Sequence, residues 1–395
     1  MNKWWLLPLI LIFSVIDAPV AQTVHYTDTL FNQPDDGLIK SVISYLVRNQ
    51  DTVKDGPARY YYQTGELWQT GFHKNNLEDS LWTIYFRNGK ISKEIQFKDG
   101  RRNGPFKYYD ENGALRNEGI YQNDSLTGQM NLYFAEGQLN EIRQYRGNKL
   151  NGIMTGYYPD GNLNYRLEYA DSIQHGLYET YYPSGKLKER GLMDGSQFYD
   201  VYRSFHENGQ LEKEIIYKNN IIDGPYVVYW DNGNVRNRCT YINGKIEGTY
   251  HSFFKEGSLF ETGEYAQGKR EGLWKSFYPD STLYMEGKYN HGVASGLWNV
   301  YHPNGNLKQT GVYKEGVSEG PWQFYYSNGQ VKSKGTYINN KENGKWIQYY
   351  EDGKIKLDLN YSEGKLNGLQ MGFDTDGKLL EKAEYSDGQL IRKIK

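Results

Sequence analysis

A glycine at every twenty-fourth position constrains this chain more than any other feature of its sequence. Stepping by 24 from Gly65 to Gly377 meets glycine at 13 of 14 places, Ser281 being the exception. A second comb in fixed phase runs from Gly56 to Gly368 with glycine at 12 of 14 places, Ser80 and Asp200 standing in the other two. Neither count is broken by an insertion or deletion. Apolar columns keep the same period. The column from Tyr61 to Phe373 is Tyr or Phe in every copy, and the one from Leu67 to Leu379 is Leu, Ile or Val in every copy. A third holds Trp82, Phe106, Trp274, Trp298, Trp322 and Trp346, and a fourth Tyr121, Tyr217, Tyr289, Tyr337 and Tyr385. Self-similarity at this period marks a repeat architecture, in which a unit too small to bury its own apolar side chains packs them against its neighbours. Fourteen units fill residues 56 to 391.

The turns say what one unit is. Asn or Asp precedes the first-comb glycine in nine copies, and proline precedes that pair in Pro159-Asp160-Gly161 and Pro303-Asn304-Gly305. Proline suits the first corner of a type I turn, and a glycine in the left-handed region then closes a three-residue hairpin loop with a bulge. Counting outward places Tyr61 opposite Leu67. Each unit is therefore expected to be a β-hairpin whose second strand, Leu67 to His73 in the first copy, passes to the next unit through a loop ending at the second comb. The fold class follows: all-β, an elongated single antiparallel β-meander of about 28 strands from 14 tandem 24-residue hairpins, a solenoid-like rod of about 130 Å at ~4.8 Å per strand. Composition agrees, since 44 glycines, 38 tyrosines and 9 tryptophans favour turns and strands over helices. Residues 22–55 read as an N-terminal cap. Ile39, Val42, Ile43 and Leu46 have helical spacing, which predicts a short helix followed by a strand. Residues 392–395 form a short tail.

Residues 1–21, MNKWWLLPLILIFSVIDAPVA, carry Lys3, an apolar run from Trp4 to Ile16 and a small-residue end at Ala18 to Ala21. That is the pattern of a secretory signal peptide, with Gln22 first in the mature chain. The run is broken by Pro8, ended by Asp17 and short of the ~20 residues that span a bilayer. A periplasmic, cell-surface or secreted location is expected.

Charge and chemistry narrow the function. Forty-six basic against 48 acidic residues give a net charge of −2, which offers no global field for nucleic acid or an anionic membrane. One cysteine, Cys239, allows neither an intramolecular disulfide nor a cysteine-based zinc site. Residues Gly263 to Lys269 match the opening of a phosphate-binding loop, but Arg270 stands where the metal-binding Ser or Thr belongs, and both glycines are repeat columns. Asp374-Thr375-Asp376-Gly377 lacks the third acidic ligand and the closing Glu of a calcium loop. His206 and His302 share a column in which most other copies carry Tyr or Phe, and read as aromatic substitutes. No catalytic residue, cofactor site or metal site is predicted, and the chain is expected not to be an enzyme.

One surface is a candidate for binding. In the hairpin register the Tyr61 and Leu67 columns share one face, and the Trp column shares the other with the column of Tyr62, Trp230 and Tyr326. Polar neighbours such as Arg236, Lys308 and Lys332 accompany the second face. Trp274, Trp298, Trp322 and Trp346, with Trp230 and Tyr326, form a possible ladder for sugar rings, peptide or lipid headgroups. Cross-strand packing is the competing reading of the same residues.

The residues also carry a resemblance. The grammar YY-x-x-G-x-L, then G-x-Y-x-x-G-x-x-x-G-x-W, as in Gly311-Val312-Tyr313-Lys314-Glu315-Gly316-Val317-Ser318-Glu319-Gly320-Pro321-Trp322, resembles the MORN-repeat family. It is most similar to the variant repeats of bacterial proteins labelled YwqK-type antitoxins. The resemblance implies tandem hairpins in an elongated sheet and a role in binding or scaffolding. The expectation is an exported, non-enzymatic scaffold whose partner is a protein or cell-envelope component. Carbohydrate or lipid-headgroup binding through the aromatic ladder is the first alternative, and an exported toxin-neutralising protein the second.

Overall fold

The computed structural model describes residues 24–31, 37–48 and 51–394. Residues 1–23, which include the expected signal segment and its expected cleavage site, lie outside the described residues. Every described element is a β-strand. The strands fall into two units, residues up to Gly161 and residues from Asn162. In the first, strands run from Val24–Phe31 to Gly152–Tyr157, and in the second from Leu163–Ala170 to Gln389–Lys393. Within each unit sequence neighbours pair antiparallel, as in any meander. From Asp51–Tyr61 to Leu379–Ser386 the repeats supply the 28 expected strands once the strands split at Asn151 and Asn367 are counted whole, and Gln389–Lys393 adds one more, taking in part of the expected tail.

The hairpin tips form as their sequence dictates. Tyr62 N–H donates to Glu66 O at 2.8 Å, Gly65 N–H donates to Tyr62 O at 2.9 Å, and Tyr61 pairs with Leu67 across the bulge. Gly305 has φ +82°, and Ser281 is held at +69° in the same place of its own hairpin.

The other end of each unit differs from expectation. The connection is a two-residue turn at Asn75-Asn76, with φ of 49° and 70°, closed by Lys74 opposite Leu77. Two successive positive φ values give the type I′ turn whose twist matches that of the flanking strands. The second glycine comb therefore does not end a loop. It lies inside a strand, at a bulge: Thr70 pairs with Thr83 and Phe72 with Asp79, so Gly71 alone faces residues 80 to 82. Ser80 adopts φ +61° there, and Gly104 adopts +131°.

Among the described residues the expected cap helix is absent. Residues Ile39–Arg48 form a strand paired on one side with Val24–Phe31 and on the other with Asp51–Tyr61. Ile43 and Leu46, three apart, fall on opposite faces of that strand, and both are buried. Apolar residues on both faces thus imitate helical spacing.

Candidate functional site

The bulge determines what the aromatic face can do. It swings each tryptophan over the glycine eleven residues earlier: Trp82 over Gly71, Trp274 over Gly263, Trp298 over Gly287, Trp322 over Gly311 and Trp346 over Gly335. A Cβ on Gly287 or Gly311 would lie 2.0 Å from the indole, so only glycine fits beneath it. Tyrosines of the fourth column meet the indoles edge to face. Tyr289 and Tyr313 stand 5.1 and 5.7 Å from Trp298, and Tyr313 and Tyr337 stand 5.2 and 5.8 Å from Trp322. The indole N–H of Trp274, Trp298 and Trp346 donates to the backbone carbonyl ten residues earlier, at 3.1 to 3.2 Å. Trp274, Trp298, Trp322 and Trp346 are 3, 8, 4 and 6% exposed.

These four tryptophans consequently offer no ring face to a ligand, and of the two readings of the column their burial supports cross-strand packing over the possible ladder. The structure separates them from Trp230 and Tyr326, which sit half-buried at hairpin tips. Trp230 donates its ring N–H to Phe253 O at 3.2 Å, and the Tyr326 hydroxyl donates to Tyr349 O at 2.8 Å, each bonding to the next repeat. His206 and His302 do the same, Nε2–H to Tyr229 O and Tyr325 O at 3.1 Å. Nine of the 14 copies place a flat ring carrying a donor in that column. A carbonyl only accepts, which fixes the histidine tautomer.

The opposite face carries the Tyr61 column amid carboxylates. The Tyr109 hydroxyl donates to Glu94 at 2.8 Å, and Tyr301 donates to Glu286 at 2.9 Å. Burial, then the bonded Glu94, pushes the Tyr109 hydroxyl up to about 12. On the aromatic face burial and Glu189 push Tyr178 up to about 12, and burial alone pushes the Cys239 thiol up to about 11. Arg270, at the broken phosphate-loop match, lies 4.0 Å over the Trp274 ring and pairs with Glu261 at 2.9 Å. Asp374 accepts from the N–H groups of Asp376 and Lys378 to close its own tip. Both motif fragments are thus accounted for by packing and turn closure.

What stays accessible is the line of hairpin tips, where the residue six beyond the ring lies against it. Arg236 covers Trp230 at 4.7 Å, Lys332 covers Tyr326 at 5.8 Å and Lys356 covers Tyr350 at 5.5 Å. Phe260 meets Phe254, and Tyr284 meets Tyr278, each at 5.1 Å and 69°. Phe260 and Tyr284 are 42 and 37% exposed. Sequence reasoning named Arg236, Lys308 and Lys332 only as polar neighbours, and missed Phe260 and Tyr284 because their column is otherwise variable.

A sequence model of the MORN repeat variant matches twelve segments between residues 54 and 394, among them 54–75, 270–291, 295–315, 318–339 and 342–363. The chain belongs to the MORN repeat variant family. Between matched MORN segments, at residues 124–149 and 244–269, the structure continues the same hairpins, Ser125–Tyr133 with Leu139–Arg146 and Lys245–Phe253 with Leu259–Ala266. No curated protein matches the chain. Among solved structures it is similar to the crystal structure of TcdB2-TccC3-Cdc42, at 12% identity and a TM-score of 0.13, over 91% of this chain and 24% of that one. TcdB2-TccC3 without its hypervariable C-terminal region gives 11% and 0.15, over 93% and 27%. A Photorhabdus luminescens Tc holotoxin pore gives 12% and 0.16, over 92% and 25%. The MORN chain spans about a quarter of the length of these structures, and likenesses this slight carry no argument.

Proposed function

We propose that this MORN repeat protein is an exported, non-enzymatic scaffold that binds a protein or a cell-envelope component along its repeats. The observation that carries the reading is apolar surface left in water at the repeat spacing. Phe260 and Tyr284 recur at adjacent tips, and Leu273 and Leu297, 46 and 58% exposed, recur one repeat apart on alternate strands of the same unit. Contiguous exposed apolar groups on a folded chain mark interaction surfaces. The signal pattern of residues 1–21 supplies the location.

The experiment is fractionation of the native host combined with mass determination of the mature protein. The reading expects a chain starting at or near Gln22, recovered outside the cytoplasm and retained by envelope fractions. A full-length cytoplasmic protein starting at Met1 would refute export. A mature protein that washes freely from the envelope and forms no complex would refute the scaffold. The carbohydrate reading moves with the aromatic rings that remain exposed, from the Trp column to the tips.

A further inference from the structure

Six consecutive hairpin tips of the second unit place Arg236, Phe260, Tyr284, Lys308, Lys332 and Lys356 in one column, all exposed. Two exposed rings are flanked on both sides by cations, and no acidic residue interrupts the series. Of the carboxylates on these tips, Asp280 accepts from Thr282 N–H at 2.9 Å within its own turn, and Glu256 and Glu351 stand on the tips of Phe260 and Lys356, which leaves Lys308 and Lys332 as the acid-free stretch. Asp231 pairs with Lys255 at 2.6 Å and Asp352 with Lys354 at 3.6 Å. Among the described residues Arg236, Lys308, Lys332 and Lys356 have no ion pair, and three of them lie over a ring instead. The tips from His302 to Lys308 and from Tyr326 to Lys332 contain no acid at all.

From this rim we infer a binding site for an acidic glycan, a polymer of sugar rings bearing carboxylate or phosphate groups. The inference rests on the reading of the protein as a binding scaffold and names the chemistry of its partner. Successive tips are two strands apart, which at ~4.8 Å per strand puts one ring or one cation on the order of every 10 Å. An extended disaccharide has about that length, so every second sugar of an acidic glycan, with the charge it carries, meets the column in step. The apolar face of a pyranose lies on Phe260 and Tyr284, and its anionic groups meet the cations on either side. A nucleic acid fits less well. Its stacked bases rise ~3.4 Å, a third of the tip spacing, so its rings do not meet the column in step.

The test is titration of the purified protein with polygalacturonate by calorimetry. Dextran serves as the neutral glycan, with an oligodeoxythymidylate and phosphatidylglycerol vesicles as the competing polyanions. Two rim variants, Lys308→Gln with Lys332→Gln and Phe260→Ala with Tyr284→Ala, are compared with Lys245→Gln plus Lys269→Gln at the opposite turns. Polygalacturonate is expected to bind with an affinity that falls as salt rises, while dextran does not bind. Each rim pair should weaken binding about tenfold or more, as loss of stacked or charged contacts does, and the opposite-turn pair should change it less than about twofold. If the aromatic pair perturbs the fold, the lysine pair, on exposed polar side chains, decides alone. Absence of polygalacturonate binding, affinity untouched by the rim lysines, or tighter binding of the oligonucleotide or vesicles would each overturn the assignment. Failure with polygalacturonate while the protein is still retained by native envelope fractions would remove the glycan and leave the scaffold reading standing.

Discussion

Replacing Gly287 with alanine adds one methyl group where the bulge has left no room for it. The new Cβ would sit 2.0 Å from the indole of Trp298, against 3.4–4 Å for ordinary contact, so ring and backbone must part by at least about 1.4 Å. The ring cannot slide, because Tyr289 and Tyr313 wall it in at 5.1 and 5.7 Å. Overpacking of this kind costs about 1–3 kcal/mol. Expelling the indole altogether would forfeit about 200 Å² of burial at ~25 cal/mol/Å², an upper bound of about 5 kcal/mol. A local loss of about 3 kcal/mol is expected. The backbone itself objects to nothing, since Gly287 is not among the glycines with positive φ. The chain's own sequence suggests the rescue: where the column beneath holds Leu167 or Cys239, the residue eleven later is Tyr178 or Tyr250. Trp298→Tyr should therefore restore much of what Gly287→Ala removes, with a coupling of about 1–2 kcal/mol in a double-mutant cycle. A repeat array need not unfold in two states, so the assay is native-state hydrogen exchange of the strands Leu283–Asn290 and Val293–Tyr301. A change below about 0.5 kcal/mol in Gly287→Ala, or a double variant as unstable as the sum of its parts, would refute the reasoning.

Three other expectations follow from the turns, the columns and the buried acids. Gly305→Val should destabilise its hairpin by about 1–2 kcal/mol, because φ is +82° while no atom lies within 4 Å of the added Cβ, whereas Ser281→Gly should stabilise its own by about 1 kcal/mol; exchange rates at the two tips measure both. His302→Phe keeps the ring but removes the donor to Tyr325 O, and should cost about 1 kcal/mol locally, where His302→Tyr should cost little. Stability should decline in strong alkali: folding raises Tyr109 and Tyr178 from 10.0 to about 12 and Cys239 from 9.0 to about 11, so their contribution is complete below pH ~9 and lost as pH rises through 11 to 12. Spectrophotometric titration should show a late tyrosinate component that Tyr109→Phe diminishes.

How far the sequence could be read depended on whether a signal was local. The tips were legible because Pro-Asn-Gly at residues 303–305 has one low-energy geometry, and that geometry fixes the pairing of Tyr61 with Leu67. The bulge was not. A glycine with positive φ inside a strand looks in sequence like a glycine ending a loop, and only pairing shows that Gly71 opposes three residues. A signal for it existed, since all five column tryptophans have glycine eleven residues earlier, as in Gly335 and Trp346, and close approach is what such a pair means. The helix expected around Ile39 failed because burial on both faces of a strand gives apolar residues three and four apart. The tip rim was half legible: its cations were visible, but Phe260 and Tyr284 declare themselves only through exposure.

With the column tryptophans packed between strands, any binding falls to the rim. Unfolding stability of Trp298→Ala and Trp322→Ala, singly and together, tests this most directly. Each indole is buried to within 8% and 4%, so each truncation should cost about 3–5 kcal/mol and melt its own hairpins first. Variants as stable as the parent chain would mean that the rings do not hold the repeats together, and would return them to the surface role that the structure denies them.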